Sequence, residues 1–238
     1  MMATKIICKD VEWIMVNVIK TIPRCGDELL ARYQGQASAT IHEAMGRRNA
    51  FDPAIKPLDR SMRLAGRALT VRCHTGDNLM LIKAISMAQK GDVIVADMGN
   101  AVANGPFGEV LAVECVARGL AGLIVNCAVR DSQEIIRLGF PVFSAQICIS
   151  GTAKATLGTI NHPVSCGGVI VNPGDVIVAD ADGVVSVPLE EAEDVVDAAD
   201  ARTAKEAEVM ERLRAGESLF DIYGYQKVFD SLNCTEEK

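Results

Sequence analysis

Two short segments hold groups suited to binding an anion. The first is Gly108-Glu109-Val110-Leu111. A helix that opens here leaves its first backbone N–H groups without intrahelical partners, at the positive end of the helix dipole. A substrate carboxylate fits such an end with no side chain required. Glu109 lies in the same first turn and can face the same space. The second segment is Arg130-Asp131, just past an apolar run. Arg130 offers a planar fork for a carboxylate or carbonyl oxygen, and Asp131 suits a hard cation. Each segment also has a plain structural reading. Glu109 is favoured by the dipole at any helix start, and Asp131 is a preferred N-cap with Glu134 at the capping-box position. Together, at the carboxyl ends of neighbouring strands, they would line one crevice suited to a metal-bound 2-oxo acid.

The elements that must place these groups alternate clearly. A strand is expected over Leu64–Cys73, then a helix from Asp77 or Asn78 through Gln89. Gly91–Asp97 and Gly174–Asp180 share the string GDVIVAD. A Gly-Asp turn leading into a buried strand accounts for both, with Asp97 and Asp180 at strand ends. A loop over Met98–Phe107 leads to a helix from Gly108 to Arg118, stopped by Gly119. Gly122–Ala128 is the next strand, Asp131 or Ser132 opens a helix through Leu138, and Pro141–Ile149 is another strand. This order predicts an α/β protein with a parallel sheet and right-handed crossovers.

The flanks read differently. Residues 1–34 read as a helical lead-in carrying Trp13, Ile14, Val16 and Val18. Thr40 to Glu43 fits a capping box for a short helix ending near Gly46. Gly151–Pro188 suggests a second, more antiparallel sheet of short segments. Leu189 to about Arg214 reads as a long exposed helix closed by Gly216. The tail from Ser218 is expected to dock through Leu219, Phe220, Ile222 and Tyr223 up to Phe229, with Thr235–Lys238 fraying. No linker interrupts the chain, so one domain over 1–238 is expected, with 189–238 as a C-terminal helical arm.

Composition narrows the function classes. The formal net charge is -7 without long basic runs, which argues against nucleic-acid binding. The longest apolar run, Leu120–Val129, is far short of the ~20 residues that span a bilayer, and the N-terminus does not read as a signal peptide. The eight cysteines are scattered, with no pair at C-x-x-C spacing, as expected of reduced thiols in a cytoplasmic protein.

The chain resembles a known family at several points. Glu109, twenty intervening residues and then Arg130-Asp131 match the Asp/Glu-x20-Arg-Asp motif of the class II pyruvate aldolases with the RraA-like fold, which act on 4-hydroxy-4-methyl-2-oxoglutarate and 4-carboxy-4-hydroxy-2-oxoadipate. Ala39–Arg47, Asp52–Pro57, Gly76–Met80 and Gly91–Asp97 also look like signatures of that family, and the likeness spans roughly residues 25–230. It is more specific to the aldolase branch than to the RraA ribonuclease regulators. Two departures stand out. Cys127 occupies a position that is often Gly in the family, and Met98-Gly99-Asn100-Ala101 replaces a Gly-rich segment.

The resemblance implies a swivelling β/β/α sandwich with a C-terminal helical arm, and a Mg²⁺ or Mn²⁺ cofactor. Asp131 would be the single direct carboxylate ligand and Glu109 would act through water. The N–H groups of Gly108, Glu109, Val110 and Leu111 would take the substrate carboxylate. Arg130 would stabilise a pyruvate enolate, and Glu206 from a neighbouring subunit would accept a proton. His42 and His74 are weaker candidates for a site role. The assembly would be a homotrimer or homohexamer acting on a small oxo-acid, with no membrane or nucleic-acid partner. The alternatives are an RraA-like protein-binding regulator and a dedicated oxaloacetate decarboxylase.

Overall fold

The computed structural model of the chain describes residues 5–8, 11–14, 16–100 and 103–235. It opens on an antiparallel hairpin, β1 (Lys5–Cys8) and β2 (Val11–Ile14). Among the described residues of the helical lead-in expected over 1–34, strands and extended chain take its place, and the first helix is α1 (Asp27–Tyr33). The physical reason is local. Val11, Trp13, Ile14, Val16 and Val18 are β-branched or aromatic, and Pro23 cannot donate within a helix. Instead, the segment near Asn17 is laced to a later one by Ile160 N–H to Asn17 O (2.8 Å) and Ile19 N–H to Ile160 O (3.1 Å).

Helix α2 (Ser38–Ala44) has Ala37 as its N-cap residue, so Thr40 lies inside the helix. The expected capping box is absent because Glu43 turns to Arg47 instead, at 3.1 Å. The start of α2 is held by Asp180, which accepts the Ser38 N–H (2.8 Å) and hydroxyl (2.6 Å).

The central strands follow their apolar runs. After β3 (Lys56–Pro57) come β4 (Leu64–Arg72), helix α3 (Leu79–Met87), β5 (Asp92–Asp97), helix α4 (Glu109–Ala117), β6 (Gly122–Val129), helix α5 (Ser132–Leu138) and β7 (Val142–Ile147). Strands β4 to β7 pair in parallel in that order. Their side chains alternate between two cores, as strand periodicity requires. Leu69, Val71, Ile94, Ala96, Leu123 and Val125 enter one core, shared with α3 and α4. Ala68, Val93, Val95 and Ile124 enter the other.

The remaining strands are β8 (Thr159–Ile160), β9 (Val164–Cys166), β10 (Val169–Val171), β11 (Val176–Ala179) and β12 (Val184–Val187). The separate sheet expected over 151–188 is not what forms. Strands β11 and β12 extend the main sheet, giving the order β12-β11-β4-β5-β6-β7-β3, and β8 also pairs with β4. Of these five strands, β9 and β10 stand apart, as a hairpin that covers the second core. The two GDVIVAD strings thus flank β4 on opposite sides, one parallel to it and one antiparallel.

A 3₁₀ turn at Leu189–Glu191 leads into helix α6 (Ala192–Arg214). Ala192, Val195, Val196 and Ala199 pack into a third core with α1 and α2, so the beginning of the helix is docked and not exposed as expected. Helices α7 (Leu219–Ile222) and α8 (Gln226–Ser231) follow. The expected docking of this tail is not seen, since Leu219, Tyr223, Tyr225, Val228 and Phe229 remain exposed. Phe220 instead packs against Tyr225 and Phe229 within the arm, with ring centroids 6.1 and 5.0 Å apart. The end expected to fray falls almost wholly outside the described residues. Among the described residues, no helix is long and apolar enough to cross a membrane.

Candidate functional site

Strand β6 is buried along its whole length and delivers Arg130 and Asp131 at its carboxyl end. Its register against β7 shifts between Val125 and Ala128, which inserts a bulge just before the pair. Bulges bend a strand and re-aim the residues that follow. Asp131 then takes a left-handed conformation (φ 52°, ψ 39°), which Asp tolerates better than most residues.

That turn decides where its carboxylate goes. Asp131 is the N-cap residue of α5 but makes no side-chain cap to it. The expected capping box is also absent, because Glu134 pairs with Arg137. Asp131 Oδ2 instead accepts the N–H of Glu109, at 3.1 Å, and so caps the neighbouring helix α4. Arg130 Nε lies 3.5 Å from the same oxygen, and both side chains are half-exposed. Gly108 makes this approach feasible. A Cβ there would lie 2.4 Å from Asp131 Oδ2 and 2.9 Å from Arg130 Cγ.

The four N–H groups expected to face a substrate are not all free. Glu109 gives its N–H to Asp131, and Leu111 turns its N–H back to Gly108 O at 3.1 Å. Among the described residues, the N–H groups of Gly108 and Val110 have no such partner. The start of α4 can still receive an anion, through fewer donors than the sequence suggested. Glu109 is exposed on the same turn.

The donor set fits a hard divalent cation. Asp131 is a half-exposed carboxylate with Glu109 nearby in the chain fold, and Mg²⁺ usually keeps several waters and takes one or two protein carboxylates. No group of three or more His, Cys, Asp or Glu converges among the described residues, so nothing there resembles a closed thiolate or imidazole cage.

Glu206 lies elsewhere. It pairs with Arg202 at 2.8 Å and lines a cleft of about 380 Å³ with Glu43, Arg47, Lys205, Tyr223 and Tyr225. This set shares no member with the Arg130–Asp131 corner. His42 borders a different cleft with Phe51 and Asp182. His74 is exposed beside Arg72 and Asp97, at the carboxyl ends of β4 and β5.

Some contributors were not singled out from sequence. Asn126 sits on the buried bulge, donating to Asp97 (2.9 Å) and accepting from Met98 N–H (2.7 Å). Its signal was readable, as a polar residue inside an apolar strand needs partners. Asn104 and Gly105, on the other side of Arg130, carry no such signal in a loop. The cysteines are free wherever described. Burial pushes the Cys73 and Cys115 thiols up to about 12, which leaves them protonated and inert.

The chain is similar to known proteins over most of its length. Residues 38–186 match the RraA-like family, described as Aldolase/RraA. A Halalkalibacterium halodurans protein named "Putative 4-hydroxy-4-methyl-2-oxoglutarate aldolase" is 35% identical over 177 residues, covering 74% of this chain and 84% of its own. A solved structure of an uncharacterized protein from Pseudomonas syringae pv. tomato superposes with a TM-score of 0.76 at 24% identity, covering 84% of this chain and 98% of its own. That likeness speaks for the fold. Streptomyces coelicolor RraAS2, described as an unusual member of the RNase ES inhibitor RraA protein family, gives a TM-score of 0.70 at 27% identity and covers 81% of this chain and 99% of its own. The family match contains Glu109, Arg130 and Asp131 and stops short of Glu206.

Proposed function

The chain belongs to the RraA-like (Aldolase/RraA) family, and on that premise we propose that it is a divalent-metal-dependent pyruvate aldolase. Its substrates are 4-carboxy-4-hydroxy-2-oxoadipate, 4-hydroxy-4-methyl-2-oxoglutarate or both, with oxaloacetate decarboxylation as a side activity. One observation carries the reading. The Asp131 carboxylate turns away from its own helix and meets the Arg130 guanidinium at the start of α4.

The chemistry follows from these groups. The 4-hydroxyl of the substrate loses its proton and its oxygen becomes a carbonyl. The C3–C4 bond breaks, and its electron pair passes through C3 to the 2-oxo oxygen, leaving pyruvate as the enolate. A proton delivered to C3 then gives pyruvate. Arg130 stabilises the developing oxyanion, an interaction stronger in the transition state than in the bound substrate. The free N–H groups at the start of α4 take the C1 carboxylate. Asp131, with Glu109 beside it, would hold a divalent cation, which would supply Lewis-acid polarisation of the 2-oxo group. Glu206 of a neighbouring copy of this chain takes the hydroxyl proton. Loss of CO₂ from oxaloacetate passes through the same enolate and uses the same corner.

Metal removal tests the reading. EDTA should abolish pyruvate release from both hydroxy-oxo acids, and Mg²⁺ or Mn²⁺ should restore it. Full activity in a chelated, metal-free sample overturns the mechanism. Absence of pyruvate release from either substrate with metal present would favour a binding role instead.

A further inference from the structure

The turn Gly76-Asp77-Asn78 lies between β4 and α3, and the proposed reaction gives Asp77 no part. Yet Asp77 is only 2% exposed. Its Oδ1 accepts the N–H of Leu79 at 2.8 Å, as a helix cap would. Its Oδ2 accepts two more, from Ala155 (2.6 Å) and Thr156 (2.9 Å), far along the chain. Burial opposes ionisation here, but the N–H donors outweigh it and hold the carboxyl below its ordinary value. The backbone reinforces the attachment, through Asn78 N–H to Ala153 O (3.1 Å) and Ala153 N–H to Gly76 O (2.9 Å). A stretch without helix or strand, following β7, is thus bonded to one turn.

The adjoining Asn78 holds a second loop. Its Nδ2 donates to Pro106 O at 2.7 Å, just before the start of α4. The two loops also grip each other, by Gly105 N–H to Ser150 O (2.8 Å) and Asn104 Nδ2 to Gly151 O (3.0 Å). Arg130 lies where they meet. A Cβ on Gly105 would stand 2.5 Å from Cys148 O and 3.1 Å from Arg130 Cβ, and one on Gly151 would stand 3.9 Å from Arg130 Nη1. The Arg130 N–H is itself bound by Phe107 O, at 2.9 Å.

We infer that Asp77 is a positioning residue. Its buried carboxylate clips the loop 148–156, and the adjoining Asn78 clips the loop 103–107, so both walls beside Arg130 are held from one turn. The charge matters, because an ionised acceptor with several N–H donors binds more strongly than a neutral one. An amide at this place would offer one acceptor oxygen and aim its own N–H groups at backbone donors. The catalytic consequence rests on the aldolase reading, whereas the clip does not.

Cys148 provides a direct reporter. It is the half-buried thiol of the first loop, and its Sγ donates to Ala103 O of the second, at 3.2 Å. The experiment compares Asp77 with Asp77→Asn and Asp77→Ser, all in a Cys8→Ser, Cys234→Ser background. Serine retains a cap for Leu79 N–H and releases the distant loop. Modification of Cys148 by a chromogenic disulfide reagent should accelerate at least about ten-fold in both variants. Pyruvate release should fall by at least about ten-fold in kcat/KM, while circular dichroism is unchanged. Ala155→Pro removes one N–H donor and leaves Asp77 in place, so it should also speed Cys148 modification if the Asp77 variants fail to fold. Cys148 rates unchanged within about two-fold in every folded variant would overturn the clip. Loose Cys148 with unaltered pyruvate release would overturn its positioning role. A parent protein that releases no pyruvate would defeat the aldolase reading, and the Cys148 rates would still decide the clip.

Discussion

The Arg130–Asp131 corner and the Glu206 cleft are built by different means. The corner rests on a strand with no exposed residue, a bulge, a left-handed Asp and a glycine contact with no room for a methyl group. The cleft rests on half-exposed side chains of α6 and α2, an i,i+4 ion pair and two exposed tyrosines of the turn between α7 and α8. Both ion pairs are half-exposed, so the difference lies in the backbone beneath them: a close-packed strand end fixes where its side chains start, whereas an exposed helix face leaves long side chains free to move. The contrast teaches that one chain can pre-arrange the Arg130–Asp131 corner by itself. Glu206 is not held in that way, and under the proposed function a second copy of the chain supplies the surface that places it.

Breaking the corner should have the largest effect. Arg130→Ala should lower kcat for aldol cleavage by about 10²–10³-fold. Arg130→Lys should remain badly impaired, because an ammonium cannot reproduce the planar fork. Oxaloacetate decarboxylation should fall in parallel, and normal decarboxylation in a folded Arg130→Lys protein would refute the assignment.

Glu206→Gln should cost on the order of 10²-fold in kcat, the usual scale for a proton-transfer group. Mixing sharpens the comparison. Asp131→Asn chains and Glu206→Gln chains should each be nearly inactive alone, yet regain activity once dissociated and reassembled together. That requires sites shared between copies, so light scattering should show an oligomer, with a homotrimer or homohexamer expected. Failure of the mixture to recover would place Glu206 in its own chain's chemistry or outside the reaction.

Gly108→Ala should act on the corner by packing alone. The added methyl group meets Asp131 Oδ2, and such overpacking typically costs about 1–3 kcal/mol. Pyruvate release should drop by about ten-fold or more, with a lowered melting temperature. Wild-type activity in this variant would show that the corner yields as easily as the cleft.

The smallest effect concerns the base of the cleft. Asp180 anchors the start of α2, the helix that carries Glu43. Burial raises its carboxyl, but hydrogen bonds from Ser38, Asp182 and Gly183 lower it further, to a net position below the ordinary value. A carboxyl depressed on folding stabilises fully above its unfolded pKa and loses that contribution as pH falls through the folded value. Denaturant melts should therefore show Asp180→Asn closing on the parent protein as pH drops below about 4. A difference that stays constant down that range would exclude the ionised anchor.

Much of this was legible along the chain, for reasons that can be named. The strands β4 to β7 and the helices between them announced themselves through uninterrupted apolar runs, 3.6-residue periods and glycine stops. That sufficed to put Arg130 and Asp131 at a carboxyl end next to the start of α4. The N-terminal segment misled because its apolar residues suit a helix face as well as a strand, and pairing decided between them. The tail misled because apolar residues signal burial without saying against what.

By itself the sequence determined the parallel centre and the adjacency of a helix start to an Arg-Asp pair, since both follow from local period and chain order. Only the tertiary structure decided that Asp131 caps α4 and not its own helix, that β11 and β12 extend the main sheet beside β4, and that Asp77 fastens a loop beyond β7. The partners in two of these contacts are separated by 22 and 78 residues. A hydrogen bond forms with whichever donor the fold brings within reach, and no local spacing records which donor that will be.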